Sequence, residues 1–404
     1  MISLEEARDR VYAGCPPAEP VEVPLADALG RVLAEPVDSP EDIPPFANSA
    51  MDGYAVHAAD VAGATAEHPA RLTVIGTLAA GQAPSLTVGP GEALRIMTGA
   101  PFPPGADAVA IVETTRVDGG TVEISEPAAP GAHVRPSGQD LAAGQAVFLP
   151  GTILSPGHLG VLASIGRGKV AVVPAPVVGV LSTGDELVEA GAPLQPGQIR
   201  DSNRTTLLGL LRRDGYGAVD LGIARDVEAD IRERIADGVG RCDAVLTSGG
   251  VSMGDYDYIK KILDELADMA WMQVAIRPAK PFAFGRIGDT PVFGLPGNPV
   301  SSMVSYELLA RPGLRRLAGH PQETAARKPV RAVAESDLGR SDGQRTTYAR
   351  VIAGAGADGR IRVHSAGGQA SNLLWPMALA NALAVLPPGT TVAAGDEVDA
   401  LLLG

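Results

Sequence analysis

Between residues 175 and 317, continuous apolar runs alternate with amphipathic helical patterns, and this alternation constrains the fold more than any other feature of the chain. The run "PVVGVLS" is apolar throughout, as a strand covered on both faces requires. Asp201 to Asn203 can cap a helix through "TTLLGLLRR", which Gly215 stops. "AVDLGIA" reads as the next strand. Asp226 can cap a second helix, with Ile231, Ile235 and Val239 at i, i+4 and i+8. "DAVLTSGG" is a strand, "YDYIKKILDEL" a helix and "WMQVAI" a strand. "FAFGRIGDTPVFGLP" is a hairpin turning at Gly-Asp. Asn298 and Pro299 open a last helix as N-cap and N1. The pattern predicts an open α/β sheet.

In such sheets ligands sit beyond the carboxyl ends of the strands. Three unusual loops follow predicted strands: "STGDEL" (182–187), "TSGGVSMGD" (247–255) and "LPGNPVSS" (295–302). In the second, Gly249, Gly250 and Gly254 permit positive φ and close approach of a ligand to backbone amides. Ser248 and Ser252 add hydroxyls. The same loop also reads as a tight turn with Asp255 as N-cap. In the first loop, around Ser182 and Gly184, Thr183 and Glu186 fit a T-x-x-E capping box. Asp185 and Glu186 could instead face a hard cation. In the third, Pro296, Gly297, Asn298 and Pro299 serve as punctuation, or with Ser301 and Ser302 meet an anion. Arg277 and Lys280, around Pro278, form a basic pair beside these loops, or a solvated edge.

Outside this section the chain changes style. Ser3 and Glu6 form a capping box for a first helix, with Leu4, Ala7 and Val11 on one face. Residues 46–140 carry short strand-like runs between turn residues and predict a β-rich domain. In it, Asp52-Gly53 reads as a hairpin turn, a strand ends at Thr98-Gly99, and "HVRPSGQDLAAG" carries Arg135 and Asp140. Ser155 and Pro156 start another helix as N-cap and N1. From about 328 onward, short strands predict a small β-barrel or sandwich.

Composition removes several classes of function. A net charge of −14 argues against a general nucleic-acid footprint. Two distant cysteines, Cys15 and Cys242, exclude a disulfide framework and a CxxC motif. The six histidines show no zinc-ligand spacing. The longest apolar run, "VAVVPAPVVGVL", is broken by prolines and too short to span a bilayer. "MISLEEARDRV" is charged from residue 5 and is not a signal peptide. A cytoplasmic location is expected.

Taken in order, the motifs "IPPFANSAMDGYAV", "RIMTGAPFPPGADAVAIVE", "VRPSGQDLAAG", "LSTGDELVEAG", "GQIRDSN", "TSGGVSMGDYDYI", "FGLPGNPVSSMVSYE" and "LANALAVLP" cover essentially the whole chain. Together they resemble one family, the molybdopterin molybdenumtransferases, which include MoeA and the gephyrin E-domain. The resemblance implies four domains: a discontinuous one from 1–45 and 141–173, an inserted β-rich one from 46–140, an α/β one from 174–326, and a β-barrel-like one from 327–404. It implies a homodimer whose active site lies between subunits. It implies insertion of molybdenum from molybdate into adenylylated molybdopterin, with AMP released and Mg²⁺ required.

By motif position the resemblance makes Asp52, Thr98, Glu186, Asp226 and Asp255 catalytic, with Glu186, Asp255 and Asp52 as metal ligands. It adds Arg135, Asp140, Arg350 and Ser371 to the substrate site. Transient contacts with an adenylyltransferase and with acceptor molybdoenzymes are implied as well. There are departures: Arg277 and Ala279 stand where the family often has Lys and Gly, and Ala370 and Asn372 interrupt its usual Gln-Gly-Ser-His pattern. Two alternatives are adenylylation of molybdopterin and a non-catalytic scaffold. The first leaves three domains and "NSAMDGYAV" unexplained. The second calls for a fused partner domain and a long linker, which this sequence does not show.

Overall fold

The computed structural model describes residues 1–250 and 258–404. Its centre is a six-stranded sheet in the order Gly217–Ala224, Val177–Thr183, Ala244–Ser248, Thr290–Leu295, Pro281–Ile287, Ala270–Gln273. The first four strands are parallel, in register at Val180↔Leu246 and Leu246↔Phe293. The last two run antiparallel and include the expected hairpin, with Gly288 at φ +58°.

Apolar runs form these strands because helices cover both faces. Neighbouring residues alternate between two cores. Val180, Leu246 and Phe293 pack with Leu207, Leu211 and Val304. Leu181, Val245 and Val292 pack with Ile231, Ile235 and Ile262. Helices Ser202–Arg213 and Pro299–Ser305 supply the first core, Glu228–Arg241 and Tyr258–Leu266 the second. From the edge strand Gly217–Ala224 the chain crosses back over Val177–Thr183 to place Ala244–Ser248 on its other side. The topology therefore switches between the carboxyl ends at Thr183 and Ser248.

Two local expectations fail here. Thr183 and Glu186 cap no helix, because Leu187–Val188 pairs as a short strand with Ile199–Arg200. Asp226 is not the N-cap of the next helix. Val227 is, without a side-chain bond, and Asp230 instead accepts from the Arg225 amide at 2.9 Å.

The first helix, Leu4–Ala13, is capped by Ser3, whose hydroxyl accepts from the Glu6 amide at 3.0 Å. The Glu6 carboxylate turns to Arg10 at 2.8 Å. This helix packs Leu4, Ala7 and Val11 into the α/β core. Residues Val21–Pro24 and Val32–Leu33 flank Lys169–Val173 in a small antiparallel sheet, and Ala28, Leu33, Leu154, Leu162 and Val172 share a core beside helix Pro156–Ser164. Ser155 caps that helix reciprocally with His158.

The β-rich section holds a six-stranded sheet, from Ala108–Ile111 through Gly53–Val56, Glu92–Ile96, Ala70–Leu78 and Thr121–Ile124 to Thr115–Asp118. Asp52-Gly53 is not a hairpin turn. Asn48–Ser49 pairs with Val134–Arg135 in a separate ribbon, while Gly53 starts a strand of the large sheet. A Cβ at Gly53 would sit 2.1 Å from the Ala110 carbonyl oxygen, so close strand approach explains the glycine.

The tail forms a closed five-stranded barrel of Val330–Ala334, Thr346–Ala355, Ile361–Ser365, Ala382–Leu386 and Glu397–Leu402. Pairing of Tyr348 with Val385 closes it. Ile276–Arg277 adds to its edge at Thr346. No helix among the described residues is long and apolar enough to cross a membrane.

Candidate functional site

The four parallel strands end at Ala224, Thr183, Ser248 and Leu295, and the segments beyond them converge on one cavity of about 820 Å³. Among the sequence-predicted residues, Thr183, Gly184, Glu186, Asp226, Ser248, Gly249, Gly250, Pro296, Gly297, Asn298 and Pro299 line it. Gly249 is at φ +101°, and a Cβ there would stand 3.0 Å from the Thr183 carbonyl oxygen, so only glycine fits the turn. Its amide donates to the Leu295 carbonyl at 3.1 Å. Gly250, at φ +69°, continues the bare backbone along the wall.

Sequence reasoning missed Asn203 as a site residue and read it only as part of a helix start. Its amide nitrogen donates to Ser248 Oγ at 2.8 Å and to the Gly297 carbonyl at 2.7 Å, tying two strand-end loops together. The available signal was three consecutive polar residues, Asp201 to Asn203, opening a helix. Asp201 holds the start of that helix by accepting from the Arg204 amide at 3.1 Å. Buried Arg204 bonds Asp220 at 2.9 Å and thereby fixes the helix to the edge strand. Arg200, Tyr258, Pro281, Asn372 and Leu374 also line the cavity and were not foreseen.

Glu186 and Asp226 present exposed carboxylates to the cavity. The Asp226 amide donates to Asp185 Oδ1 at 3.1 Å, which joins the two loops. Among the described residues no group of three or more carboxylate, histidine or cysteine side chains comes together. Ser182 is fully buried and its hydroxyl has no partner. Ser301 is buried in the first turn of its helix and does not line the cavity. Ser252, Gly254 and Asp255 lie outside the described residues.

The remaining predicted residues are elsewhere in the chain. Arg277 and Lys280 do not line the cavity, because Arg277 is held in the barrel-edge strand opposite Thr347. Lys280 precedes the lining residue Pro281. Arg350 is fully buried and donates to the carbonyls of Gly368, at 2.6 Å, and Ala370, at 3.1 Å. Its Nε and Nη1 are buried without a partner. Ser371 does not line the cavity; its carbonyl accepts from the Val300 amide at 3.1 Å, next to the lining residues Pro299 and Asn372.

Asp52, Thr98, Arg135 and Asp140 do not line this cavity either. Asp52 Oδ1 accepts from both the amide and the hydroxyl of Thr98 at 2.7 Å. These two bonds hold its carboxyl below the usual range, with Arg95 contributing. Asp52 is therefore an exposed, oriented anion on the β-rich section. Arg135 is exposed in the short ribbon opposite Asn48, and the Asp140 amide donates to the Ile43 carbonyl at 2.9 Å.

Comparison with known proteins gives three family matches in chain order. Residues 2–166 match the MoeA N-terminal region (domain I and II), residues 179–316 a probable molybdopterin binding domain, and residues 332–403 the MoeA C-terminal region (domain IV). A Mycobacterium tuberculosis protein named Molybdopterin molybdenumtransferase 2 is 40% identical over 408 residues, covering 98% of both chains. The Haemophilus influenzae Molybdopterin molybdenumtransferase is 38% identical over 404 residues, with 98% of both chains covered. A crystal structure of the molybdopterin biosynthesis MoeA protein from Pyrococcus horikosii superposes at TM-score 0.83 with 32% identity, covering 100% of this chain and 99% of its own.

Proposed function

The chain belongs to the molybdopterin molybdenumtransferase family, a family of transferases, and from that premise we propose that it inserts molybdenum from molybdate into adenylylated molybdopterin and releases AMP in an Mg²⁺-dependent reaction. The observation that carries this reading is the cavity at the switch point. There Gly249 and Gly250 offer backbone to a pyrophosphate, and Glu186 and Asp226 stand within the same enclosure. A volume of about 820 Å³ suits a pterin joined to a nucleotide.

The donor set fits a magnesium ion. Mg²⁺ takes oxygen ligands, keeps several waters and needs only one or two protein carboxylates beside phosphate oxygens. Glu186 and Asp226 would hold it on the described side of the cavity, with Asp255 as a further candidate. When bound, the ion would offset charge on the phosphoanhydride.

The reading keeps the domain division at 45/46, 140/141, 173/174 and 326/327. It includes a homodimer in which Asp52, Thr98, Arg135 and Asp140 of one subunit complete the cavity of the other. It also includes a cytoplasmic location, and transient contacts with the adenylyltransferase and acceptor enzymes.

Purified protein given adenylylated molybdopterin and Mg²⁺ should release AMP only when molybdate is added. AMP release indifferent to molybdate, measured by chromatography, would overturn insertion and favour a hydrolytic or adenylyl-transfer role.

A further inference from the structure

Where helix Arg311–Leu317 approaches the first and last barrel strands, a second cavity of about 250 Å³ is lined by Arg311, Arg315, Arg327, Lys328 and Thr324. It shares no lining residue with the first. In a chain of net charge −14, so local a cationic wall is not a product of bulk composition.

Most of the surrounding charge is already matched. Glu307, 2% exposed, takes Arg213 at 2.7 Å and Arg327 at 2.8 Å. Asp214 takes Arg311 and Arg213, both at 3.0 Å. Two cations are left over. Arg315 donates to His320 Nδ1 at 3.1 Å, and its Nε is buried without a partner. Burial of a guanidinium lacking a carboxylate is unfavourable unless an anion joins it. Lys328 is exposed and makes no ion pair among the described residues. The Thr324 hydroxyl donates to the Pro321 carbonyl at 3.0 Å, so recognition falls to the cations.

The fork of Arg315 and the point charge of Lys328 suit a small anion with several oxygens. The volume is below the roughly 300–1,000 Å³ of pockets for larger ligands. We propose that this second cavity binds a tetrahedral oxyanion, either free phosphate or the phosphate of a nucleotide. The site stands whether or not the chain inserts molybdenum.

Isothermal titration with orthophosphate and with AMP, at ionic strength held constant with chloride, tests this on the full chain. Arg315→Gln keeps a donor toward His320 while removing the charge, and Lys328→Gln changes an exposed side chain, so a matching thermal melt identifies folded variants. Each should weaken phosphate binding at this cavity about tenfold or more, and the double variant should abolish that component. Asn203→Ala, in the other cavity, should leave the component lost in the double variant unchanged. AMP is read only through the component lost in the double variant. Tighter binding of AMP than of phosphate identifies a nucleotide as the source, and equal or weaker binding identifies the free anion. The proposal is overturned if the wild-type chain binds neither above the chloride background, or if the double variant binds both as tightly as wild type.

Discussion

Asn203 is the residue whose role the geometry changes most. The Gly297 carbonyl can only accept, which fixes the amide nitrogen on that side and lets it reach Ser248 Oγ too. Neutral hydrogen bonds contribute about 1 kcal/mol each, so Asn203→Ala should cost about 1–2 kcal/mol of stability. The larger effect should be on positioning. With the loops at 248 and 297 untied, KM for the pterin substrate should rise and kcat/KM fall about tenfold. Ser248→Ala removes one of the two bonds and should do less. Steady-state kinetics on both single variants and the double variant check the coupling. Fully additive effects would show that Asn203 and Ser248 do not act as one clamp. Asn203 was hidden in the sequence because its local role, at a helix start, is satisfied without any site. Only the fold brings residues 203, 248 and 297 together.

At the scale of elements, the periodic signals were legible where one rule dominated. Strands buried on both faces read as apolar runs, and Asn298-Pro299 and Ser155-Pro156 start helices as expected. Failures came where tertiary pairing overrode a local rule. "TGDE" satisfies a capping box in letters, yet the following Leu187–Val188 finds a strand partner at Ile199–Arg200. Asp52-Gly53 has the letters of a hairpin turn, yet the segments flanking it belong to different sheets. The turn after helix Arg311–Leu317 carries a signal of its own. His320 is buried there, and burial, aided by Arg315 and Arg311, lowers its pKa to about 4. The folded chain thus keeps the imidazole neutral where the unfolded chain, near 6.5, would protonate it. Stability from this group is intact above pH 6.5, is lost as pH falls from there to about 4, and levels off below. The slope in that window should approach about 1.4 kcal/mol per pH unit. His320→Gln keeps an acceptor for Arg315 and removes the titration. Denaturant midpoints between pH 7 and 5 should flatten in the variant relative to wild type. Identical slopes would mean that His320 is not the titrating group.

At the scale of the whole molecule, the question is whether an oriented but remote acid serves the cavity. Asp52 is exposed, held ionised by two bonds from Thr98, and absent from the wall of its own chain's cavity. Glu186 lines that wall. Two such groups can act on one substrate if two chains associate so that each supplies one of them. Asp52→Ala and Glu186→Ala should each be inactive alone in molybdate-dependent AMP release. Mixed and allowed to exchange subunits, they form hybrids in about half of the dimers, and each hybrid holds one intact site out of two. Activity should therefore recover to about a quarter of wild type. If both acids acted within one chain, hybrids would contain no intact site and nothing would recover. Subunit exchange is verified independently by tagging one variant and co-purifying the other. Exchange without recovery would overturn the shared site and place the action of both acids within one chain, whereas an Asp52→Ala variant that is active alone would remove Asp52 from the site.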